Sequence, residues 1–276
     1  MSKSTDLEVK VKKTRTKKEH IPLQTYFDIG NQYEIGVDEA GRGPMFGRLY
    51  VAAVILPKDG DFKHGDMKDS KKFTNKDKIK ETAEYIKQNA IAWDIQYIEN
   101  TVIDQINILQ SVMQGMHAAI RQVTEIADKI KGDISSDLSS DYIRKYMLLI
   151  DGNYFTPHMV FDETSQCLRE IPYETVEGGD NKYTCIAAAS ILAKVAHDQY
   201  IEEMCNKYPI LIERYGLDSH VGYGTKRHLD GIREHGVTQW HRRTFGSCKT
   251  ATYCPVDEFI TSPISSCPQS PSSILS

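Results

Sequence analysis

Residues 36–44 read GVDEAGRGP and interrupt an apolar, strand-like region of the chain. Side chains of a strand alternate between its two faces, so Asp38 and Glu39 face one cleft only if the backbone bends. Gly41 and Gly43 allow such a bend, because glycine adopts dihedral angles closed to other residues. The stretch therefore predicts two acids at a strand end, facing a cleft. The alternative is a solvated turn that holds a surface ion pair.

Arg42 lies between two glycines, which carry no side chains. Its guanidinium and the neighbouring backbone N–H groups can therefore approach a phosphate or a sugar closely. Two further acids stand at comparable boundaries: Asp151 ends the apolar run YMLLI (146–150), and Asp180 follows two glycines just before a predicted helix. Four carboxylates converging on one cleft would repel each other unless divalent cations neutralised them.

Carboxylate oxygens are hard ligands, which favour Mg²⁺ or Mn²⁺ over zinc. The six cysteines include no CxxC pair and no zinc-ligand spacing. Two hard cations about 4 Å apart would activate a water molecule and stabilise the leaving oxygen in phosphodiester hydrolysis. The acids therefore predict a two-metal site, although Asp151 or Asp180 taken singly is also typical of a turn or cap residue.

Composition is that of an ordinary globular protein, with 276 residues, 40% of them hydrophobic and 26% charged. No apolar stretch approaches the roughly 18 to 20 residues that span a bilayer, so no membrane association is predicted. The first 20 residues contain no apolar core, which excludes a secretory signal. We therefore expect an intracellular protein.

Charge is distributed unevenly along the chain. Residues 1–20 carry seven lysines or arginines against three acids, a surplus of four, so a net charge of −4 leaves the remaining chain at −8. A basic arm on an acidic body suits an enzyme that gathers carboxylates for metals and adds nonspecific phosphate affinity. One alternative is a solubilising tail. Another is a sorting signal, which would place the protein in the nucleus rather than the cytoplasm.

The order of predicted elements gives the fold class. Strands are predicted around residues 33–56, 90–99 and 146–150, and helices over 75–89, 101–131 and 184–207, with Asn75 as a helix cap. Strands alternating with helices indicate an α/β protein with a mixed sheet. We expect residues 1–25 and the Ser/Pro-rich 255–276 to be disordered, 132–140 to be an insertion loop, and 26–254 to form the catalytic domain, helical from about 205.

Several motifs in a fixed order resemble ribonuclease HII, the type 2 ribonuclease H family. They are YEIGVDEAGRGP, MKDSKK, INILQ, LLIDGN, GGD with IAAASILAKVAHD, GYGTKRH and HRRTF, spread over about residues 33–245. The resemblance implies an RNase H-like fold, with a central mixed sheet flanked by helices and a C-terminal helical portion. It also implies endonucleolytic cutting of RNA in RNA–DNA hybrids and at single ribonucleotides embedded in duplex DNA.

The resemblance also implies residue roles. The family's four metal-binding, catalytic acids fall on Asp38, Glu39, Asp151 and Asp180; its glycine-arginine-glycine motif falls on Gly41, Arg42 and Gly43, and its junction-reading tyrosine on Tyr223. The 2′-OH is the group that tells RNA from DNA. Backbone groups around Arg42 and the ring of Tyr223 suit that task, although a lone Tyr223 would be typical of a half-buried turn residue.

Other candidates have weaker support. Ser70, Lys71 and Lys72 are predicted contacts to the DNA backbone, with a solvated loop as the alternative. Lys194 lies one helical turn before Asp198, and it would orient a carboxylate, touch phosphate or form a structural ion pair. His220, His228 and His241 could contact phosphate or transfer protons. We adopt a structural role for the three histidines, because nothing in the sequence places them beside the acids.

Three residues depart from the family pattern. Arg48 replaces a usual proline, Gly179 replaces a lysine before Asp180, and His197 replaces an arginine before Asp198. The first two lie next to catalytic segments, which puts the rate and the junction preference in question more than the reaction type.

These observations predict a monomeric endonuclease that uses two Mg²⁺ or Mn²⁺ ions and leaves 3′-hydroxyl and 5′-phosphate ends. Its predicted partners are RNA–DNA hybrids and DNA duplexes that contain ribonucleotides. One alternative is a catalytically silent hybrid-binding subunit of the same fold. Another is a different nuclease of the superfold, such as a junction resolvase.

Overall fold

The computed structural model describes residues 22–58, 60–131, 145–162 and 165–257. Residues 1–21 of the predicted disordered N-terminal segment, the predicted loop at 132–140 and the tail from residue 258 lie outside the described residues. The expectations for those segments, and the division into one catalytic domain with two extensions, therefore stay predictions.

A five-stranded mixed sheet forms the centre of the protein. Its strands in chain order are β1 (Tyr33–Ala40), β2 (Leu49–Ile55), β3 (Ala92–Ile98), β4 (Tyr146–Asp151) and β7 (Tyr173–Val176). The spatial order is β3-β2-β1-β4-β7, with β1–β2–β3 antiparallel and β4 and β7 parallel to β1. Strands β5 (Met159–Asp162) and β6 (Cys167–Glu170) form a separate hairpin. The parallel half matters for function, because parallel strands bring their carboxyl ends to one edge.

Helices cover both faces of the sheet. They are α1 (Lys76–Asn89), α2 (Asn100–Lys131) and α3 (Thr184–Lys207), and they enclose an apolar cluster on each face. Because both faces are covered, β2 is buried along its whole length and reads as a continuous apolar run. The predicted cap is confirmed, since the Asn75 side chain accepts hydrogen bonds from the N–H groups of Asp77 and Lys78.

Helix α2 is interrupted, which the sequence pattern did not predict. Asn107 adopts a non-helical conformation with φ 67° inside the helix. Its side-chain oxygen accepts a hydrogen bond from the Gln110 N–H at 3.1 Å. Asn107 therefore acts as an internal N-cap that restarts the helix, a role that suits a residue tolerant of positive φ.

Helix α3 lies unusually close to β1 at its first turn. A Cβ atom at Gly36 would lie 2.2 Å from the carbonyl carbon of Cys185, so only glycine fits there. Small buried residues, Ala187, Ala188 and Ala189, continue the contact surface of the helix. This close approach fixes the start of α3, and the turn just before it, against the central strand.

Three short helices follow α3: α4 (Ile210–Tyr215), α5 (Leu217–His220) and α6 (Lys226–His235). With the end of α3 they build a third apolar cluster, which includes Phe46 from the segment between β1 and β2. The C-terminal helices therefore pack directly on the segment that carries the glycine-arginine-glycine turn. None of the helices in the described part of the chain is both long and apolar enough to cross a bilayer.

Candidate active site

The four predicted acids lie at one edge of the sheet. Asp38 and Glu39 stand near the carboxyl end of β1, Asp151 ends the neighbouring parallel strand β4, and Asp180 lies in a short 3-10 turn after β7. Asp38 and Glu39 both pair regularly with β2. The bend that the glycines were predicted to allow occurs at Gly41, just after the two acids, where φ is 86°.

Asp38 is deeply buried, with 5% of its surface exposed. Burial first, and then the charges of Glu39 and Asp151, raise its pKa well above the ordinary value. A hydrogen bond from the Ser190 hydroxyl and one from the Glu39 N–H, at 2.7 Å, act in the opposite direction. Ser190 itself lies 3.0 Å from the Ser70 hydroxyl, so two serines support the central carboxylate.

Glu39 has a cationic neighbour, but its charge is only partly balanced. Arg42 Nη1 lies 3.3 Å from Glu39 Oε1, and more than half of the Arg42 side chain is exposed. Burial is the largest influence on the pKa of Glu39 and raises it; Arg42 lowers it and Asp151 raises it further. The structure thus brings Glu39 into the same electrostatic cluster as Asp151.

Asp151 and Asp180 are joined through the backbone of the 3-10 turn. The Gly179 N–H donates to Asp151 Oδ1 at 2.7 Å. A Cβ at Gly179 would lie 2.5 Å from Ile186 Cδ1. Burial, followed by the charges of Asp69 and Asp151, raises the pKa of Asp180 to about 6. Gly179, a departure from the family pattern, therefore contributes through its main chain.

Asp69 is a fifth carboxylate that the sequence analysis did not assign to the site. The Asn181 amide donates to Asp180 Oδ1 at 2.9 Å and to Asp69 Oδ2 at 3.3 Å, bridging the two acids. Asp69 also caps the turn at Ser70–Lys72 by accepting from the Lys71 N–H. Its position inside the MKDSKK motif, directly before the predicted DNA contacts, is the signal that could have drawn attention to it.

The donor chemistry of this edge fits a hard divalent cation. The four acids supply only oxygen ligands. Burial and then the neighbouring carboxylates raise the pKa values of Asp38 and Asp180, an effect that a bound cation would oppose. Among the residues that the structure describes, no group of three or more Asp, Glu, His or Cys side chains is already arranged to hold a metal ion. Metal binding would therefore have to draw the carboxylates together.

Tyr223 lies beside the glycine-arginine-glycine turn, as its predicted role requires. A Cβ at Gly43 would lie 3.1 Å from Tyr223 Cε1, so the ring packs on the glycine backbone. The Met45 N–H donates to the Gly222 carbonyl at 2.9 Å, which ties the two segments together. About half of the Tyr223 surface is exposed. Its ring is therefore free to contact a ligand lying across the turn.

The remaining predicted contacts lie in different environments. Ser70 is buried and its hydroxyl contacts Ser190, whereas Lys71 and Lys72 are exposed. Lys72 Nζ donates to the Asn181 side chain. Lys194 Nζ forms an ion pair with Asp198 Oδ2 at 2.5 Å, the structural alternative considered above. No DNA contact of these residues is tested by the structure, so those roles stay predictions.

Two of the three histidines, His228 and His241, form a hydrogen-bonded pair in the C-terminal part, and the ring of His220 stacks on that of His228. His228 Nδ1 lies 3.0 Å from the Tyr223 carbonyl, and its Nε2 lies 3.1 Å from His241 Nε2. His241 Nδ1 accepts from the Thr238 N–H at 3.0 Å. These contacts assign a neutral tautomer to His228 and to His241, with His241 Nε2–H donating to His228 Nε2. His228 and His241 are completely buried, so the structural role fits them.

The departures Arg48 and His197 make different contacts near the turn. The Arg48 guanidinium pairs with Glu99 at 2.7 Å and lies over the ring of Tyr97 at 4.1 Å. His197 is buried under Gly41, where an added Cβ would lie 2.5 Å from the imidazole ring. Its Nδ1 lies 3.2 Å from Asp198 Oδ1.

Arg242, from the HRRTF motif, is a site-supporting residue to which the sequence analysis gave no role. It is completely buried, and its guanidinium donates to the carbonyls of Gly47, Arg42 and Arg48. Burial lowers the pKa of its guanidinium to about 10. No local sequence signal distinguishes it from its neighbour Arg243, because its partners lie about 200 residues away.

Comparison with solved structures defines the fold as that of type 2 ribonucleases H. The ribonuclease H2 from Pyrococcus horikoshii OT3 superposes with a TM-score of 0.56 at 20% identity, covering 79% of this chain and 95% of that one. Bst-RNase HIII, solved in complex with Mn²⁺, superposes with a TM-score of 0.50 at 18% identity, covering 80% and 69%. At these identities the likeness shows the fold alone.

Sequence comparison gives the family. The family model for Ribonuclease HII matches residues 35–248. Ribonuclease HII of Parabacteroides distasonis is 41% identical over 223 residues, covering 81% of this chain and 94% of the relative. The chain belongs to the ribonuclease HII family, and it is a ribonuclease H, a hydrolase that acts on RNA–DNA hybrids. The resemblance drawn from the motifs is confirmed.

Proposed function

We propose that this protein cuts the RNA strand of hybrids and the 5′ side of single ribonucleotides in duplex DNA, leaving 3′-hydroxyl and 5′-phosphate ends. The observation that carries the proposal is the convergence of Asp38, Glu39, Asp151 and Asp180 at one sheet edge, just before the turn on which Tyr223 packs. Two of the carboxylates, Asp38 and Glu39, thus belong to the same continuous segment as the donors for the sugar, and Asp151 and Asp180 join them from the neighbouring strand and the 3-10 turn.

Asp38, Glu39, Asp151 and Asp180 would hold two Mg²⁺ or Mn²⁺ ions. Such ions supply an activated water and stabilise the leaving oxygen in phosphodiester hydrolysis. Ser190 favours the ionised form of Asp38 by donating to it, and the Gly179 N–H orients Asp151. These donors would limit the orientations of Asp38 and Asp151 while the bound ions draw the carboxylates together.

The glycine-arginine-glycine turn is suited to detect the 2′-OH. In the part of the chain that the structure describes, no hydrogen bond engages the N–H groups of Arg42 and Gly43. Both donors are therefore available to a ligand that lies across the turn. Tyr223, packed on Gly43, would contact the sugar of the same nucleotide. Lys71 and Lys72 are exposed cations that would contact the DNA backbone.

The test uses duplex DNA that contains one ribonucleotide, incubated with and without Mg²⁺ or Mn²⁺. We expect one metal-dependent cut 5′ to the ribonucleotide and none in the all-DNA duplex. Asp38→Asn should abolish cleavage while hybrid binding survives, because the substitution removes one ligand charge and keeps the shape. Asp94→Asn is the matched control, since Asp94 is a partly buried strand acid on β3, two strands from β1. Wild-type cleavage by Asp38→Asn would refute the metal-site assignment.

Two alternatives give different results in the same assay. A silent hybrid-binding subunit would bind the hybrid without cutting it at any metal concentration. Such a protein would be expected to have lost at least one of the four acids, whereas all four are present in this chain. A nuclease of another specificity would cut branched or all-DNA substrates without any dependence on the 2′-OH. The monomeric state and the intracellular location stay predictions.

A further inference from the structure

The segment that joins β1 to β2 is held mainly by the C-terminal part of the chain. The Gly47 N–H donates to the Trp240 carbonyl at 2.9 Å, and the Arg242 N–H donates to the Met45 carbonyl at 2.8 Å. These bonds link residues almost 200 positions apart. The segment carries the glycine-arginine-glycine turn, so its conformation depends on a distant part of the sequence.

The side chain of Arg242 adds three further bonds to the same segment. Nε donates to the Gly47 carbonyl at 2.9 Å, Nη1 to the Arg42 carbonyl at 3.2 Å, and Nη2 to the Arg48 carbonyl at 2.9 Å. A guanidinium is planar and presents its donors at fixed angles. One side chain therefore fixes the relative positions of three carbonyl groups on both arms of the turn.

This arrangement is costly if its role is only to fill the interior. Arg242 is completely buried, and these bonds go to carbonyl groups rather than to a carboxylate. Burying a charge is expensive, and an apolar side chain of similar volume is often at least as stabilising. An apolar side chain could not donate hydrogen bonds of fixed direction to the three carbonyl groups.

The bond to the Arg42 carbonyl has a direct consequence for the turn's free donors. The carbonyl of Arg42 and the N–H of Gly43 belong to one planar peptide group and point in roughly opposite directions. Fixing that carbonyl toward Arg242 therefore aims the Gly43 N–H away from the interior. This is the N–H group that has no partner in the described residues and that lies beside the Tyr223 ring.

We infer that Arg242 is a positioning residue, which holds the Arg42–Gly43 peptide so that its N–H meets the 2′-OH of the ribonucleotide. The inference rests on the proposed function, because it assigns the orientation of a donor that the proposal uses. Arg242 touches no substrate itself. Its loss should therefore weaken the distinction between ribose and deoxyribose more than it weakens binding to the phosphate backbone.

The test compares the affinities of two duplexes in EDTA, one all-DNA and one with a single ribonucleotide, by fluorescence anisotropy. Arg242→Met removes the donors, and Arg242→Lys keeps a cation but loses the planar fork. We expect each variant to lose about tenfold of the wild-type preference for the ribonucleotide, the effect of one misplaced hydrogen bond. Affinity for the all-DNA duplex should stay within about twofold of wild type.

Two controls separate positioning from stability. Arg243→Lys changes the neighbouring arginine of the same motif and should leave the preference intact. Leu217→Ala truncates a completely buried residue of the same apolar cluster. It should lower the melting temperature without changing the preference.

Retention of the full preference by folded Arg242 variants would overturn the inference, as would failure of both variants to fold, since Arg242 would then serve the fold itself. A wild-type protein without any ribonucleotide preference would instead refute the proposed function.

Discussion

The contact between Gly36 and helix α3 leads to a quantitative prediction about the whole site. In Gly36→Ala the new methyl group would lie 2.2 Å from the Cys185 carbonyl carbon, 2.4 Å from its oxygen and 2.5 Å from the Ile186 nitrogen. All three are backbone atoms, so no side-chain rotation relieves the clash. Ordinary contact begins at 3.4 Å, so strand and helix must separate by about 1.2 Å (3.4 − 2.2).

A separation of that size should reduce both stability and catalysis. Overpacking of a tight interior costs about 1–3 kcal/mol, and we expect the upper end of that range because only backbone can move. Ser190 lies on the same helix and donates to Asp38, and the turn with Asp180 directly precedes the helix. A displacement near 1 Å between catalytic groups lowers the rate by about 100-fold.

The assay pairs urea unfolding with cleavage of the single-ribonucleotide duplex at saturating Mn²⁺. Gly65→Ala is the control, because a methyl group there meets nothing within 4 Å. It should change stability by less than about 0.5 kcal/mol. If Gly36→Ala kept the activity and stability of Gly65→Ala, the close approach of β1 and α3 would not position the acids, and the reasoning would be wrong.

Two further predictions concern the surroundings of the site. Burial lowers the pKa of His228 to about 4, whereas an unfolded histidine titrates near 6.5, so the unfolded state binds more protons between these values. The free energy of unfolding should fall below pH 6.5, with His228 responsible for about 2 kcal/mol at pH 5. Urea midpoints at pH 7 and pH 5 should differ less in His228→Gln, and an unchanged difference would contradict this. Arg48→Ala loses the ion pair with Glu99. It should destabilise the protein by about 1 kcal/mol with cleavage within threefold of wild type; a much larger loss of cleavage would mean that the side chain acts on the turn.

Local signals account for the elements that the sequence predicted well. The start of α1 follows from Asn75, whose short side chain caps the first turn. Asp151 could be placed at a strand end because an apolar run stops there, and parallel strands bring such ends together. Helix α3 was predicted with its observed bounds, since its apolar residues run without a breaking residue from Thr184.

Long-range contacts account for what the sequence could not show. Arginine is a residue type usually found at the surface. Arg242 can be buried because the folded chain brings three carbonyl groups to its guanidinium. Asp69 looks like part of a solvated, lysine-rich loop until Asn181 joins it to Asp180. Asn107 lies within a helical pattern of apolar residues, and its positive φ leaves no mark on that pattern.

The difference between main-chain and side-chain contacts explains why two departures from the family pattern fit the site. Position 48 contributes its carbonyl to Arg242, and position 179 contributes its N–H to Asp151; both groups belong to the main chain. At position 179 glycine also fits the space, because a Cβ there would lie 2.5 Å from Ile186 Cδ1. Position 197 is different, because its imidazole fills the space directly beneath Gly41. A longer arginine at 197 would have to leave that space or displace the turn. Among the three departures, His197 is therefore the one whose side chain bears on the geometry of the glycine-arginine-glycine turn.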